Sequence, residues 1–454
     1  MAAHPLGVRG DPIGLYHALL EDAATADASA DALREGQRGR HLVFGDRQLC
    51  VSLRPNLISG WQYRQINAAA EMLYAALARL EAALLRDEDL RRELDLDEEE
   101  ERLALADPGF AAASPSARLD GFVGGDGVIR FVEYNAESPA GMAYHDELVA
   151  VFETLPVMQR FRAAFAAHAV PVRGRQLEAM LRAHRARSDG GAPTIAIVDL
   201  RGLPTLTEFE MFERFFAEQG LRALICTPED LSYSGGRLHA GGTPVDVVYR
   251  RVLTSELLAR GHVARPLVDA YLAGAVTVVN SFRAKLLHKK MSLALLSDER
   301  YAGLYTPAQV VAIQRHVPWT RKVREGRTTY GSGAVDLTEF VAANRERLVL
   351  KPNDEYGGKG VVLGWTVGQP DWEEALATAL SESFVVQERV AVPWYPFPVA
   401  LDRTELLELS IDHDPYLFWG TVSGCLTRLS SSALLNVTAG AGSVVPTYIV
   451  EAKA

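Results

Sequence analysis

Apolar residues recur through the first hundred positions at steps of three and four. Ile66, Ala70, Leu73, Leu77, Leu80 and Leu84 form one stripe, the pattern of a helix that buries a single face. The spacing predicts a largely helical region from residue 1 to about 105. The period then changes. VIRFVEYN (128–135) follows the turn-like GGDG (124–127) and alternates as a strand does, SPAG (138–141) breaks it, and a helix resumes near Asp146. Between 194 and 280, TIAIVDL, RALICT, VDVVYRR and AVTVVN are short apolar runs separated by helical segments such as EFEMFERFFAEQG (208–220). Strands alternating with helices predict a mostly parallel sheet. From 347 onward strands dominate, in RLVLKP, GVVLGW, SFVVQERV and YLFWGTVSG.

A chain of 454 residues exceeds one ordinary domain, and 48% hydrophobic with 23% charged residues suits a packed core. The net charge of -11 lacks any compensating basic stripe, which argues against a nucleic-acid partner. Much of that charge lies between Asp87 and Arg102, read here as a solvated helix face or loop. No apolar stretch is long enough to span a membrane, and the N-terminus lacks a signal-peptide core. Cys50, Cys226 and Cys425 are far apart, which disfavours a disulfide framework or a zinc site. The expectation is a cytoplasmic protein, with self-association left open.

Three segments carry candidate chemistry. In Leu350-Lys351-Pro352, a lysine on a strand can project into a cleft and meet phosphates. The following Gly357-Gly358-Lys359-Gly360 can close backbone N–H groups over them, with Lys359 as a mobile charge. This is neither a P-loop nor a dinucleotide fingerprint. In Phe384–Arg389, an apolar strand ending in Gln387-Glu388 suits an adenine and ribose site. The third segment joins Arg118-Leu119-Asp120-Gly121 to Glu133-Tyr134-Asn135 across the GGDG turn. Glu133 and Asn135, two apart on a strand, share a face. With Asp120 they make a hard, all-oxygen set suited to magnesium, and Arg118 can steady charge on a transferring phosphoryl group.

Together these segments resemble the ATP-grasp superfamily. D-G-x(n)-E-x-N with a P-x-G turn is similar to its magnesium end, and LKP, GGKGV and VVQE to its lysine, glycine loop and adenine hinge. The magnesium pair precedes the lysine by more than two hundred residues, as in the circularly permuted branch that includes glutathionylspermidine synthase-like proteins. EYNAESPAG resembles that branch, although Glu137 and Ser138 stand where Asp and Thr are usual. No amidase segment is found.

The resemblance implies that Lys290, in HKKMSLALL, is a nucleotide lysine. It also implies that Arg428 contacts a phosphate or acyl phosphate, and that Gly420–Ser430 with Asn436–Gly442 joins onto the magnesium strands. The expected fold is α/β (α+β), a circularly permuted ATP-grasp with a preceding α/β domain and a helical N-terminal region. Expected divisions are a helical region 1–109, magnesium strands 110–150, an α/β substrate domain 151–285 and nucleotide-binding subdomains 286–454. The implied activity is an ATP- and Mg2+-dependent carboxylate–amine ligase acting through an acyl phosphate. Its substrates would be a small carboxylate and an amine. A phosphotransferase using the same cleft and a non-catalytic ATP-binding module are the alternatives. Arg201, Thr205, Glu208, Tyr249, Arg250 and Arg251 suit a carboxylate-bearing substrate, or equally helix capping and surface ion pairs.

Overall fold

The structure, a computed structural model, describes residues 10–44, 47–188, 190–432 and 442–453. The predicted stripe lies on the helix Gly60–Leu84, and all six of its residues are buried. Ser59 and Gln62 form a capping box at its start, satisfying N–H groups that have no partner within the helix. Each buried leucine of the stripe stabilises by about 2 kcal/mol relative to exposure. The N-terminal region is not wholly helical, because Asn56–Ser59 is a strand that pairs in parallel with Ser443–Ala452 near the opposite end of the chain.

Three larger sheets organise the rest. A nine-stranded sheet contains the acid hairpin, Ser116–Val123 with Ile129–Asn135, and the C-terminal strands Trp394–Ala400, Thr404–Ile411, Asp414–Phe418, Thr421–Ser430 and Ser443–Ala452. Asp414–Phe418 pairs antiparallel with Ser116–Val123, so segments three hundred residues apart are neighbours. A four-stranded antiparallel sheet orders Thr320–Lys322, Phe384–Glu388, Leu348–Pro352 and Val362–Leu363. The third sheet is the α/β unit, with Ile195–Val198 at its centre and every pairing parallel, as its alternating pattern predicts. Asn280 staples this unit to the acid hairpin. Its amide donates to the carbonyls of Ser116 (2.6 Å) and Ala136 (2.7 Å) and accepts from Ser116 N (3.2 Å).

The acidic run departs from the reading as a solvated face. Glu100, on the helix Glu98–Leu105, is buried and pairs with Lys289 at 2.8 Å and Lys285 at 3.2 Å. Tertiary placement of those two lysines turns one acid of the run inward. The three cysteines are buried and unpaired. No helix among the described residues is long and apolar enough to cross a membrane.

Candidate functional site

The acid hairpin registers Arg118 opposite Asn135 and Asp120 opposite Glu133, with a bulge between Asp120 and Gly121. Alternation therefore gathers all four side chains on one face. Arg118 grips Asp120 with two bonds, Nε to Oδ1 at 2.7 Å and Nη2 to Oδ2 at 2.9 Å. Arg428 Nη2 adds a third at 2.8 Å and Asn135 Nδ2 a fourth at 2.9 Å. A carboxylate offers about four acceptor positions, and here all are taken. Asp120, expected as a metal ligand, is here a counter-ion to both guanidiniums. Burial alone would raise its carboxyl pKa, but the two guanidiniums outweigh burial and hold it below the usual range.

Sequence reading missed Asp412 and Asp414. Arg428 Nε donates to Asp412 at 2.7 Å, and its Nη2 lies 3.1 Å from Asp414 Oδ2. Both acids are fully buried, and burial raises both carboxyls above the usual range. Three acids thus surround two guanidiniums, and burial pushes Asp414 well up. The acid-x-acid pair Asp412-His413-Asp414, between two apolar strand segments, was the available signal. Its meaning depends on Arg428 facing it across the sheet.

The lysines arrive from the antiparallel sheet. Lys351 Nζ donates to Gln387 Oε1 at 2.7 Å and to Val132 O at 3.1 Å, directly beside Glu133. The nucleotide-gripping candidate and the acid strand therefore touch, although 219 positions separate Val132 from Lys351. Burial lowers the Lys351 pKa to about 8, against the opposing pull of Glu133. Lys290 Nζ lies 3.0 Å from Glu133 Oε1 and also donates to the Glu355 carbonyl. Its placement is set by Asn353, whose carbonyl and side-chain oxygen accept from Lys290 N (2.9 Å) and Met291 N (3.0 Å). For Glu133, burial would raise the pKa, but Lys290 and Lys351 outweigh both burial and Asp120, and the carboxyl sits below its usual range.

The loop after Lys351 takes its shape from glycine. Gly357, Gly358 and Gly360 have φ of 63°, 78° and 70°, the left-handed region that residues with a Cβ rarely adopt. Lys359 is exposed and pairs with Glu355 at 2.9 Å. Gln387 is buried between Lys351 and Thr320, and Glu388 accepts from Tyr330 at 2.7 Å. A cleft of about 580 Å³ opens between Glu388 and Trp319 on one side and Gly124 and Arg130 on the other.

Below this cluster runs a buried polar layer that the motifs did not reveal. Lys285 contacts both oxygens of Asp354 at 2.6 Å and lies 3.7 Å from Glu137, which pairs with Arg250 at 3.0 Å. Several residues considered for substrate recognition have structural partners. Arg250 is fully buried against backbone carbonyls. Glu208 Oε1 accepts from Gly141 N and Ala143 N at the start of the helix Met142–Phe152. Arg251 donates to Pro139 O at 2.8 Å, and Arg201 is exposed. Of the C-terminal segment, Gly420–Ser430 lies in the nine-stranded sheet beside the hairpin's partner strand. The stretch from Asn436 falls outside the described residues, apart from Gly442.

The model of the family described as circularly permuted ATP-grasp type 2 matches residues 116–430. A Frankia alni protein provisionally named glutamate–cysteine ligase 2-3 is 27% identical over 353 residues, covering 72% of this chain but 38% of that protein. The chain thus spans well under half the length of that relative. An uncharacterized Mycobacterium tuberculosis protein is 25% identical over 473 residues, covering 96% of this chain and 81% of that one. A glutathione synthetase-like effector from Globodera pallida shares the fold, with a TM-score of 0.58 at 14% identity, covering 99% of this chain and all of the other.

Proposed function

The chain belongs to the circularly permuted ATP-grasp type 2 family, and from that premise we propose that it is an ADP-forming carboxylate–amine ligase acting through an acyl phosphate. The observation that supports this reading best is Lys351 Nζ lying 3.1 Å from Val132 O, between side chains suited to phosphate and side chains suited to a metal.

Glu133 fits magnesium, being a half-buried carboxylate kept ionised by its surroundings. So does the Asn135 side-chain oxygen beside it, left over when Asn135 Nδ2 turns to Asp120. Asp120, already filled, does not. When bound, the ion supplies charge neutralisation at the nucleotide phosphates. In this reading Lys351 and Lys290 hold those phosphates, and the loop of Gly357, Gly358, Lys359 and Gly360 covers them. Gln387 fixes the Lys351 ammonium, while Glu388 borders the base and ribose cleft. A substrate carboxylate oxygen attacks the γ-phosphorus, and the bond to the bridging oxygen breaks to release ADP. An amine nitrogen then attacks the acyl carbon, phosphate leaves, and the nitrogen's proton passes to solvent. Arg428 has 23% of its side chain open and faces the developing charge. Arg118, at 9%, positions Asp120 behind it.

ADP and phosphate release, measured over pairs drawn from amino acids, small peptides and polyamines, tests the reading. Release that needs both an acid and an amine is expected. ADP formed only with a hydroxyl acceptor would make the protein a phosphotransferase. ATP binding with no release for any pair would make it a binding module.

A further inference from the structure

A second cavity, of about 420 Å³, lies apart from Lys351 and Glu133 and shares only the rim residues Asp126 and Arg315 with the hinge cleft. Ile66, Ala69 and Met72 of the long helix form one wall, Phe397 and Ile411 of the large sheet another, and Ile129 of the hairpin a third. The wall residues Ile411 and His413 alternate with Asp412 and Asp414, so this cavity lies on the sheet face opposite the Arg428 cluster. Trp61 and Tyr395 stand at its mouth, 53% and 47% exposed.

Arg54 sits in this apolar wall, 3% exposed. Its guanidinium stacks 3.8 Å from the centre of the Phe397 ring and donates one hydrogen bond, to Pro396 O at 3.2 Å. Its Nε has no partner, and no carboxylate pairs with it among the described residues. Nearby groups offer no compensation. Tyr16 is committed to Leu53 O, and His17 and His413 each carry a buried, unpartnered ring nitrogen. Asp126, the acid on the lining, is held by Arg130 at 2.7 Å. Burial without an anion pulls the Arg54 pKa down to about 9. A buried charge is ordinarily paired, because removing it from water is costly. A carboxylate forms two parallel bonds with a guanidinium, and an apolar body attached to it would fill the walls.

We propose that this cavity is a second ligand site that takes a small carboxylate with an aryl or alkyl body, its acid group on Arg54. The proposal is independent of the ligase reading. Calorimetric titration of the full chain with 4-phenylbutyrate and its neutral amide tests it. Saturable one-to-one binding of the acid is expected, with the amide at least about tenfold weaker. Arg54→Met should lose at least about tenfold in affinity for the acid while binding ATP as the wild type does. Trp61→Ala, a change at an exposed position, should weaken the acid severalfold and decides the matter if Arg54→Met does not fold. Lys351→Ala should leave acid binding intact. Equal binding of acid and amide, unchanged affinity in Arg54→Met or in Trp61→Ala, or loss of acid binding in Lys351→Ala would each overturn the proposal. So would the absence of any heat at millimolar acid, which would leave the exposed Trp61 and Tyr395 to a macromolecular partner.

Discussion

At the scale of single residues, two acids on one hairpin have opposite situations. Asp120 is saturated by Arg118, Arg428 and Asn135, whereas Glu133 meets one lysine and keeps a side open. Glu133→Ala should therefore abolish magnesium-dependent ADP release, by at least about a hundredfold, in a protein that still folds although Lys290 loses its carboxylate partner. Wild-type turnover in that variant would remove Glu133 from the metal site. Asp120→Asn instead removes the acid shared by Arg118 and Arg428, leaving Arg118 with Asp414 at 4.0 Å and Arg428 with Asp412 and Asp414. It should cost about 3 kcal/mol in denaturant unfolding, and a loss under 1 kcal/mol would show the pairs to be dispensable. Lys351 supplies a pH signature. Its folded pKa of about 8 lies below the ordinary 10.5, so the free protein sheds this charge as pH rises through about 8, and bound phosphates would favour keeping it. ATP affinity should fall between pH 7 and 9, by at most about tenfold per unit. Lys351→Arg, which does not titrate there, should show a flat profile.

Elements explain why these residues can act together. The acid hairpin is a rigid two-strand unit held at one edge by Asp414–Phe418, and the lysine strand Leu348–Pro352 is held on both sides. The glycine loop that follows the lysine strand is shaped by left-handed backbone conformation at Gly357, Gly358 and Gly360. At Gly360, a Cβ would stand 2.7 Å from Pro352 Cγ, and φ is already 70°. Gly360→Ala should raise the ATP KM by about tenfold while moving the melting midpoint little, since the loop is exposed. A normal KM would show that loop closure tolerates the change. The strands were legible because their periods of two and their turn residues are local signals. The buried layer of Glu100, Lys285, Lys289 and Asp354 was not. Its members come from three separate segments, with Lys285 and Lys289 at the start and the C-cap of one short helix, and each alone resembles an ordinary surface charge.

For the whole molecule, the decisive fact is that segments more than two hundred positions apart meet. Strands at 116–135 and 394–430 belong to one sheet, and the lysine strand meets them through Val132. ATP with magnesium should accordingly protect amides at 129–135 and at 348–352 together in hydrogen-exchange mass spectrometry. Protection confined to the second segment would separate the acids from the nucleotide. The α/β unit joins the acid hairpin through the buried Asn280 side chain, which donates to the carbonyls of Ser116, Ala136 and Glu137.

The sequence alone determined the long helix, the parallel α/β unit, the acid hairpin and the permuted order of the motifs. Each of these is written in periodicity, turn chemistry and residue spacing within a few dozen positions. Only the tertiary structure decided which carboxylates are filled and which are open, that Asp412 and Asp414 bracket Arg428, and that Arg54 is buried without a counter-ion among the described residues. Those outcomes depend on which charges meet across sheets, and a charge's partner, unlike its period, is not recorded in its neighbours along the chain.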